Sequence, residues 1–315
     1  MSVVYMTKDA GSIHQEGGRL IIKENGTFLA GMPIKNVEGI VVTSNASISS
    51  KVIHSLLKQG SYIVFTDWQG RYEGTLCAGR SSLRMVELQM KACSHVPSLL
   101  QIVKYILQRK IKNQIFILNL FAKYRKSIKL KDAAKRLKVH LEQLALAAEC
   151  NEARGFEGIC AKEYFSMYGE IIDKKEFKWK GRNRQPSRDP VNALLNYSYA
   201  FLEREVRLIA LGTGLDERYG FLHTNNGRKD SLIFDLMELF RQSVSDRLVL
   251  NCLSRKTIKK EDFHMEGDTC LLTDAGKRKW IESYEKWMQS DEHGRSYLEK
   301  EIRDFCSFLE QVQKK

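Results

Sequence analysis

Residues 220–241 read GFLHTNNGRKDSLIFDLMELFR. His223 falls in a short polar loop, and a helix is expected to open near Ser231 and to carry Asp235 and Glu238. Carboxylates three residues apart share one face of a helix. Leu232, Ile233, Leu236, Met237, Leu239 and Phe240 make this helix apolar almost all round, and such a helix is buried in a larger body. Buried carboxylates require a counter-charge or a metal. The stretch therefore reads as a cation site formed by His223 and Asp235, with Glu238 as a secondary ligand and another carboxylate supplied from elsewhere.

Working outward, Asp246 and Arg247 are expected to continue the same helix, and Lys256 to Leu272 to form a small hairpin around Glu266-Gly267-Asp268. Ser283 to Glu310 has helical spacing. Upstream, Pro190 sits well as the first residue of a long helix ending at Leu211, before Gly212 and Gly214. Asn192 and Asn196 share one face of it and read as hydrogen-bonded core asparagines. Preceding that helix is KKEFKWKGRNRQPSRDP, residues 174–190, where Phe177 and Trp179 interleave with the basic side chains. A basic loop with aromatics suits phosphate tracking, and a solvated linker is the bland alternative. Further back, Glu152, Glu157, Glu163 and Glu170 are candidates for the missing carboxylate. Glu157 has the most apolar setting, between Phe156 and Gly158, and Arg154 is available to pair with it structurally.

Apolar residues recur at helical spacing from Ser82 onward, with long helices expected from Pro97 to about Lys126 and from Lys131 to about Asn151. The basic residues of the first, Lys104, Arg109, Lys110 and Lys112 among them, mark a polar or DNA-facing side, with a solvated face as the default. Before Arg80 the pattern differs. Short β-branched runs at Val3–Tyr5, Arg19–Lys23, Gly39–Thr43, Tyr62–Phe65 and Tyr72–Cys77 are separated by turn signals, with hairpins expected at Gly17-Gly18 and Asn25-Gly26. Ser49–Gln59 reads as one helix. The fold class is therefore α+β, with a small, mostly β domain at 1–82 followed by a larger all-α catalytic domain at 83–315.

The 315 residues carry a net charge of +13, which points to a polyanionic partner, nucleic acid first. The seven cysteines form no C-x-x-C pair, which excludes zinc-ribbon spacing and fits reduced thiols. No signal peptide or membrane-length apolar run is present, so a cytoplasmic protein with no membrane partner is expected. One imidazole with two or three carboxylates suits Mg²⁺ or Mn²⁺ better than structural zinc. Such a centre in a basic protein is equipment for phosphodiester chemistry.

The blocks FEGICAKEYF (156–165), DPVNALLNYSYAFL (189–202), GLDERYGFLHT (214–224) and SLIFDLMELFR (231–241) are more specific. In this order they resemble the CRISPR-associated integrase-nuclease of spacer acquisition, the universal first Cas protein. The resemblance implies a metal held by Glu157, His223 and Asp235, with Glu238 as a further acidic position. It implies a homodimer formed through the N-terminal domain and a small ferredoxin-like second adaptation protein as partner. It also implies a double-stranded prespacer whose 3′-hydroxyl ends are joined to CRISPR repeat DNA by transesterification. Lys180, Arg182, Arg184, Arg228, Lys229 and Arg241 are the expected DNA contacts, and Arg241 has a second reading as the neutraliser of a buried carboxylate. Two alternatives remain: a metal-dependent nuclease that only cuts branched or single-stranded DNA, and a non-catalytic DNA-binding scaffold.

Overall fold

The computed structural model describes residues 2–7, 9–78, 82–172, 175–183, 185–223 and 230–313. The chain divides into two compact units, Met1–Arg80 and Ser81–Lys315.

The first unit contains β1 (Ser2–Met6), β2 (Gly11–Glu16), β3 (Arg19–Glu24), β4 (Thr27–Pro33), β5 (Val37–Val42), β6 (Ser47–Ile48), α1 (Ser50–Lys58), β7 (Tyr62–Thr66) and β8 (Tyr72–Leu76). They form two four-stranded sheets, ordered β1-β5-β7-β8 and β4-β3-β2-β6. Both expected hairpin turns are present. Gly17 and Gly18 join β2 to β3 at φ of 52° and 75°, and Asn25 and Gly26 join β3 to β4 at 50° and 80°. Paired positive φ values match the right-handed twist of the flanking strands. Val4, Ile13, Leu20, Ile40, Val52, Leu56 and Ile63 fill the core. The strands β2 and β4 escape the run-based reading because His14, Gln15, Gly31 and Pro33 interrupt their apolar pattern.

The second unit contains α2 (Leu83–Ser94), α3 (Val96–Arg125), α4 (Ile128–Leu146), α5 (Cys150–Ile171), α6 (Pro190–Leu211), α7 (Ser231–Met237), α8 (Arg247–Ser254), β9 (Phe263–Glu266), β10 (Thr269–Leu272), α9 (Asp274–Met288) and α10 (Arg295–Val312). Thus the helical unit also holds the expected small hairpin, β9–β10. Asp189 caps α6 by accepting a hydrogen bond from the Asn192 amide, and Pro190 occupies the first turn.

Two helices expected to run on are broken. After α7, residues 238–240 make a turn and Arg241–Asp246 form a π-helical turn before α8. The Asn113 side-chain amide, reaching from α3, donates to the Leu239 carbonyl at 2.7 Å and so engages the backbone within the break. Near the C-terminus, α9 stops at Met288 and α10 begins after Gly294. A Cβ at Gly294 would strike the Met288 and Ser290 carbonyls, so only glycine fits that chain reversal. No helix among the described residues is long and apolar enough to cross a membrane.

Candidate metal centre

Four segments of the helical unit build the centre. The loop before α7 brings His223, α7 itself brings Asp235, the turn beyond it brings Glu238, and α5 brings Glu157. Asp235 is fully buried and its carboxylate is saturated. Oδ2 accepts the Phe221 and Leu222 amides at 2.5 and 2.9 Å, while Oδ1 accepts the His223 amide at 3.0 Å. Oδ1 also lies 2.6 Å from His223 Nδ1. An ionised carboxylate only accepts, so Nδ1 carries the proton and the Nε2 lone pair is left for a ligand. Three backbone amides and one imidazole make Asp235 the anchor of the loop that presents His223.

The loop reaches Asp235 because Gly220 has no side chain. A Cβ there would lie 2.6 Å from Ser231 Cβ and 2.9 Å from Asp235 Oδ2. Other elements hold the same loop. Buried Gln89 on α2 donates to the Asp216 and Tyr219 carbonyls and accepts the Asp216 amide. Arg154 on α5 donates to the Leu222 carbonyl at 2.9 Å. Arg154 therefore serves the loop and is not the partner of Glu157.

Glu157 and Glu238 converge on Lys110 of α3. The Lys110 ammonium lies 2.5 Å from Glu157 Oε1 and 2.8 Å from Glu238 Oε2, with its side chain only 12% exposed. Arg241 Nε holds the other Glu238 oxygen, Oε1, at 3.0 Å, and its guanidinium covers the Tyr199 ring at 4.8 Å. Burial would raise the Glu238 pKa, but Arg241, then Lys110 and His223, pull it down to about 2. For Lys110 burial opposes the charge, and Glu238 and Glu157 outweigh it, leaving its pKa above that of an ordinary lysine. Glu238 is thus an ionised carboxylate with His223 inside its electrostatic field.

Among the described residues, no three His, Cys, Asp or Glu side chains close around a single point. The reason is visible: Lys110 holds two of the acids and Asp235 holds the imidazole. The donor set still fits a hard divalent cation. Two carboxylates already meet at one positive charge, and an imidazole whose Nδ1 is held by Asp235 stands nearby with Nε2 on its other side. Asp235 differs, because every bond it makes is to the loop it orients. Such outer partners fix the tautomer and direction of a histidine ligand.

Behind the centre, Asp246 in the π-helical turn accepts hydrogen bonds from Tyr199 at 2.6 Å and Tyr164 at 2.9 Å. Tyr164 lies on α5 with Glu157, and Tyr199 supports Arg241, so this triad around buried Asp246 joins the frames of both acids. Burial raises the Asp246 pKa to about 6, against the pull of its two tyrosine donors.

The basic loop differs from its expectation. Arg182 donates to Asn192 Oδ1 at 2.9 Å and to Asn196 Oδ1 at 2.7 Å, and it covers Tyr199 at 5.4 Å. It is a structural side chain, with buried Asn192 and half-buried Asn196 as its acceptors. The aromatics also face inward: Phe177 is buried, and Trp179 packs on Tyr168 while donating to the Phe165 carbonyl. Lys180 is exposed. With Lys175, Lys178, Arg188 and Lys260 it lines an open cavity of about 680 Å³. Arg241 takes its second reading, paired with Glu238. Arg184, Arg228 and Lys229 lie outside the described residues. The sequence pattern does not mark Lys110, Asn113, Gln89 or the Asp246 triad as site residues. The available signal was the position of Lys110 on a stripe with buried Ile106, Leu107, Ile111 and Gln114.

The family profile of CRISPR associated protein Cas1 matches residues 4–286. A CRISPR-associated endonuclease Cas1 of Rhodospirillum rubrum is 30% identical over 300 residues, covering 91% of this chain and 86% of the relative. A solved Cas1 protein from Thermotoga maritima superposes with a TM-score of 0.83 at 25% identity, covering 98% of this chain and 97% of that one. A casposase bound to integration product shares the fold, with a TM-score of 0.81 at 23% identity over 100% of this chain and 92% of that chain. The chain belongs to the Cas1 family of CRISPR-associated proteins, and its relatives include proteins named as endonucleases.

Proposed function

We propose that this chain is a divalent-metal-dependent DNA integrase and endonuclease of CRISPR spacer acquisition. Glu157, Glu238 and His223 Nε2 hold Mg²⁺ or Mn²⁺, and Asp235 positions His223 through Nδ1. The ranking of the two helical acids is thereby the reverse of the sequence-based one. Asp235 is fully committed to the loop, whereas Glu238 offers Oε2 at the point where Glu157 arrives. That convergence is the observation that carries the reading. When bound, the cation supplies charge neutralisation at the phosphate and activation of the attacking oxygen.

The reaction joins a prespacer 3′-hydroxyl to a repeat phosphate. The new O3′–P bond forms as the repeat strand's own P–O3′ bond breaks. The hydroxyl loses its proton and the departing 3′-oxygen gains one, so no cofactor is consumed. The chain's own residues hold the acids, orient the imidazole and exclude water from the base of the site. Lys180 and its exposed basic neighbours around the cavity contact the DNA backbone.

A small ferredoxin-like second adaptation protein and a second copy of this chain complete the assembly. Exposed Phe28 and Leu29 on β4, a terminal strand of its sheet, support self-association through the N-terminal unit. The test is strand transfer with a 3′-hydroxyl duplex, a repeat-bearing plasmid, the small partner protein and Mn²⁺. Joined product is expected, and Glu157→Gln and Glu238→Gln are expected to abolish it. Nicked plasmid without joining favours the nuclease reading, and full joining by both variants overturns the assigned centre.

A further inference from the structure

Lys110 is a component of the centre that the metal chemistry does not use. It stands on the buried stripe of α3, between Leu107 and Gln114, where an apolar side chain is the default. Its ammonium nevertheless reaches a carboxylate from α5 and another from the turn after α7. Those two acids come from distant parts of the chain, and burial alone would drive two such charges apart.

We propose that Lys110 is the resident counter-cation of the centre: it holds Glu157 and Glu238 together before a metal arrives, and then competes with the metal for their oxygens. The proposal rests on the metal reading given above. Three features support it. First, the ammonium contacts one oxygen of each acid, Glu157 Oε1 and Glu238 Oε2, as a bridging cation does. Second, Glu238 is held independently through Oε1 by Arg241, which is itself braced on Tyr199. Withdrawal of Lys110 therefore leaves Glu238 in place with Oε2 vacated. Third, the side chain is lysine. An ammonium is a point charge on a flexible four-carbon stem and can swing away, whereas a guanidinium fork locks its carboxylates in one geometry.

The charge balance gives the competition a consequence. Lys110, Arg241, Glu157, Glu238 and Asp235 together carry one negative charge without metal. A divalent cation leaves an excess of one positive charge, which an incoming phosphate offsets. Metal binding without DNA is therefore weakened by Lys110, and metal and DNA phosphates strengthen each other's binding. Lys110 is a positioning residue, acting through the two acids.

The experiment titrates Mn²⁺ into DNA-free protein, reading free Mn²⁺ by its electron paramagnetic resonance signal, together with the metal-induced rise in melting temperature. Lys110→Met is expected to melt lower than the parent without metal, yet to bind Mn²⁺ about tenfold more tightly and to gain more stability from it. A merely structural lysine gives the opposite affinity change. Lys110→Arg retains the charge and guards against misfolding of the methionine variant; it is expected to bind Mn²⁺ more weakly than the parent. If either folded variant binds Mn²⁺ with the parent's affinity, Lys110 does not compete and the proposal falls. The separate control is Glu238→Gln. If the parent binds Mn²⁺ and Glu238→Gln binds it equally well, the metal assignment itself has failed, whatever the Lys110 variants do.

Discussion

Two buried charge clusters in the helical unit both pair glutamates with basic side chains and differ in how their cations hold the acids. In one, Glu205 of α6 is almost fully buried and accepts from both Arg204 and Arg295. Arg295 Nε and Nη2 span its two oxygens at 3.0 and 3.1 Å and Nη2 continues to Glu285 at 3.1 Å. Arg204 also packs on the Phe201 ring at 4.7 Å. In the other, Glu157 and Glu238 share the single ammonium of Lys110. The guanidinium cluster satisfies Glu205 on both oxygens and ties α6 to α9 and α10. In the lysine cluster Lys110 takes one oxygen of each acid and Arg241 the second oxygen of Glu238, while Glu157 stays 25% exposed and the half-exposed His223 lies in the field of Glu238. On the proposal above, the arginine forks around Glu205 are architecture, while the lysine between Glu157 and Glu238 is open to exchange.

The largest expected effect separates the clusters by activity. Glu157→Gln and Glu238→Gln each lower strand transfer by at least about 10³-fold, roughly 4 kcal/mol of transition-state stabilisation, in protein that remains folded. Glu205→Gln leaves the rate per folded molecule near the parent's. A comparable loss of activity in Glu205→Gln, in protein shown by circular dichroism to be folded, would erase the distinction.

The second effect separates them by stability. Arg295→Met strands Glu205 and Glu285, and breaking a buried ion pair from one side costs about 3–5 kcal/mol. For a unit of this size that corresponds to a fall in melting temperature of roughly 6–20 °C. The Glu205 pKa is lowered, with burial opposing and Arg204 and Arg295 dominating, so this contribution is present at neutral pH and lost on acidification. Calorimetry at neutral pH that finds Arg295→Met as stable as the parent would count the cluster as incidental.

The third effect lies within the metal centre and tests the division of labour between its acids. Asp235→Asn replaces one acceptor oxygen with an amide that cannot receive the loop's donors. Weakening an orienting partner typically costs 10–100-fold in metal affinity or activity, less than removing Glu238. Equal losses in Asp235→Asn and Glu238→Gln would mean that Asp235 is itself a ligand.

This division shows where the sequence was informative and where it was not. The loop-then-helix pattern around His223 and Asp235 was legible because local rules govern it: an apolar run, a polar loop and two acids at helical spacing. The hairpin turns at Gly17-Gly18 and Asn25-Gly26 were legible for the same reason. What escaped depends on partners far along the chain. Lys110 belongs by charge to a solvated face, and only the fold sets it opposite acids 47 and 128 positions away. Arg182 looked like a phosphate contact because its neighbours are basic, yet it is spent on Asn192 and Asn196. The break after Met237 has no glycine or proline to announce it, since the side chain of Asn113 engages the backbone there from another helix.

The smallest expected effect compares two acids on either side of that break. Glu238 faces cations and its pKa falls from 4.5 to about 2, whereas Asp246 faces tyrosines and its pKa rises from 3.8 to about 6. Linkage gives them opposite signs. The unfolded chain binds the Glu238 proton more readily than the folded one, so the stability that Glu238 contributes is present above 4.5 and is lost as pH falls toward about 2. For Asp246 the folded protein keeps its proton while the unfolded chain releases it. Its contribution is full below 3.8 and is lost as pH rises through about 6. Within either window a single group changes stability by roughly 1 kcal/mol per pH unit. Asp246→Asn should therefore flatten the decline in melting temperature between 3.8 and about 6, while Glu238→Gln should remove part of the loss on the acid side. If Asp246→Asn leaves the slope in that window unchanged, Asp246 is ionised throughout. In that case the cations of the centre reach across the π-helical turn, and the tyrosine-lined acid and the cation-lined acid belong to one electrostatic unit.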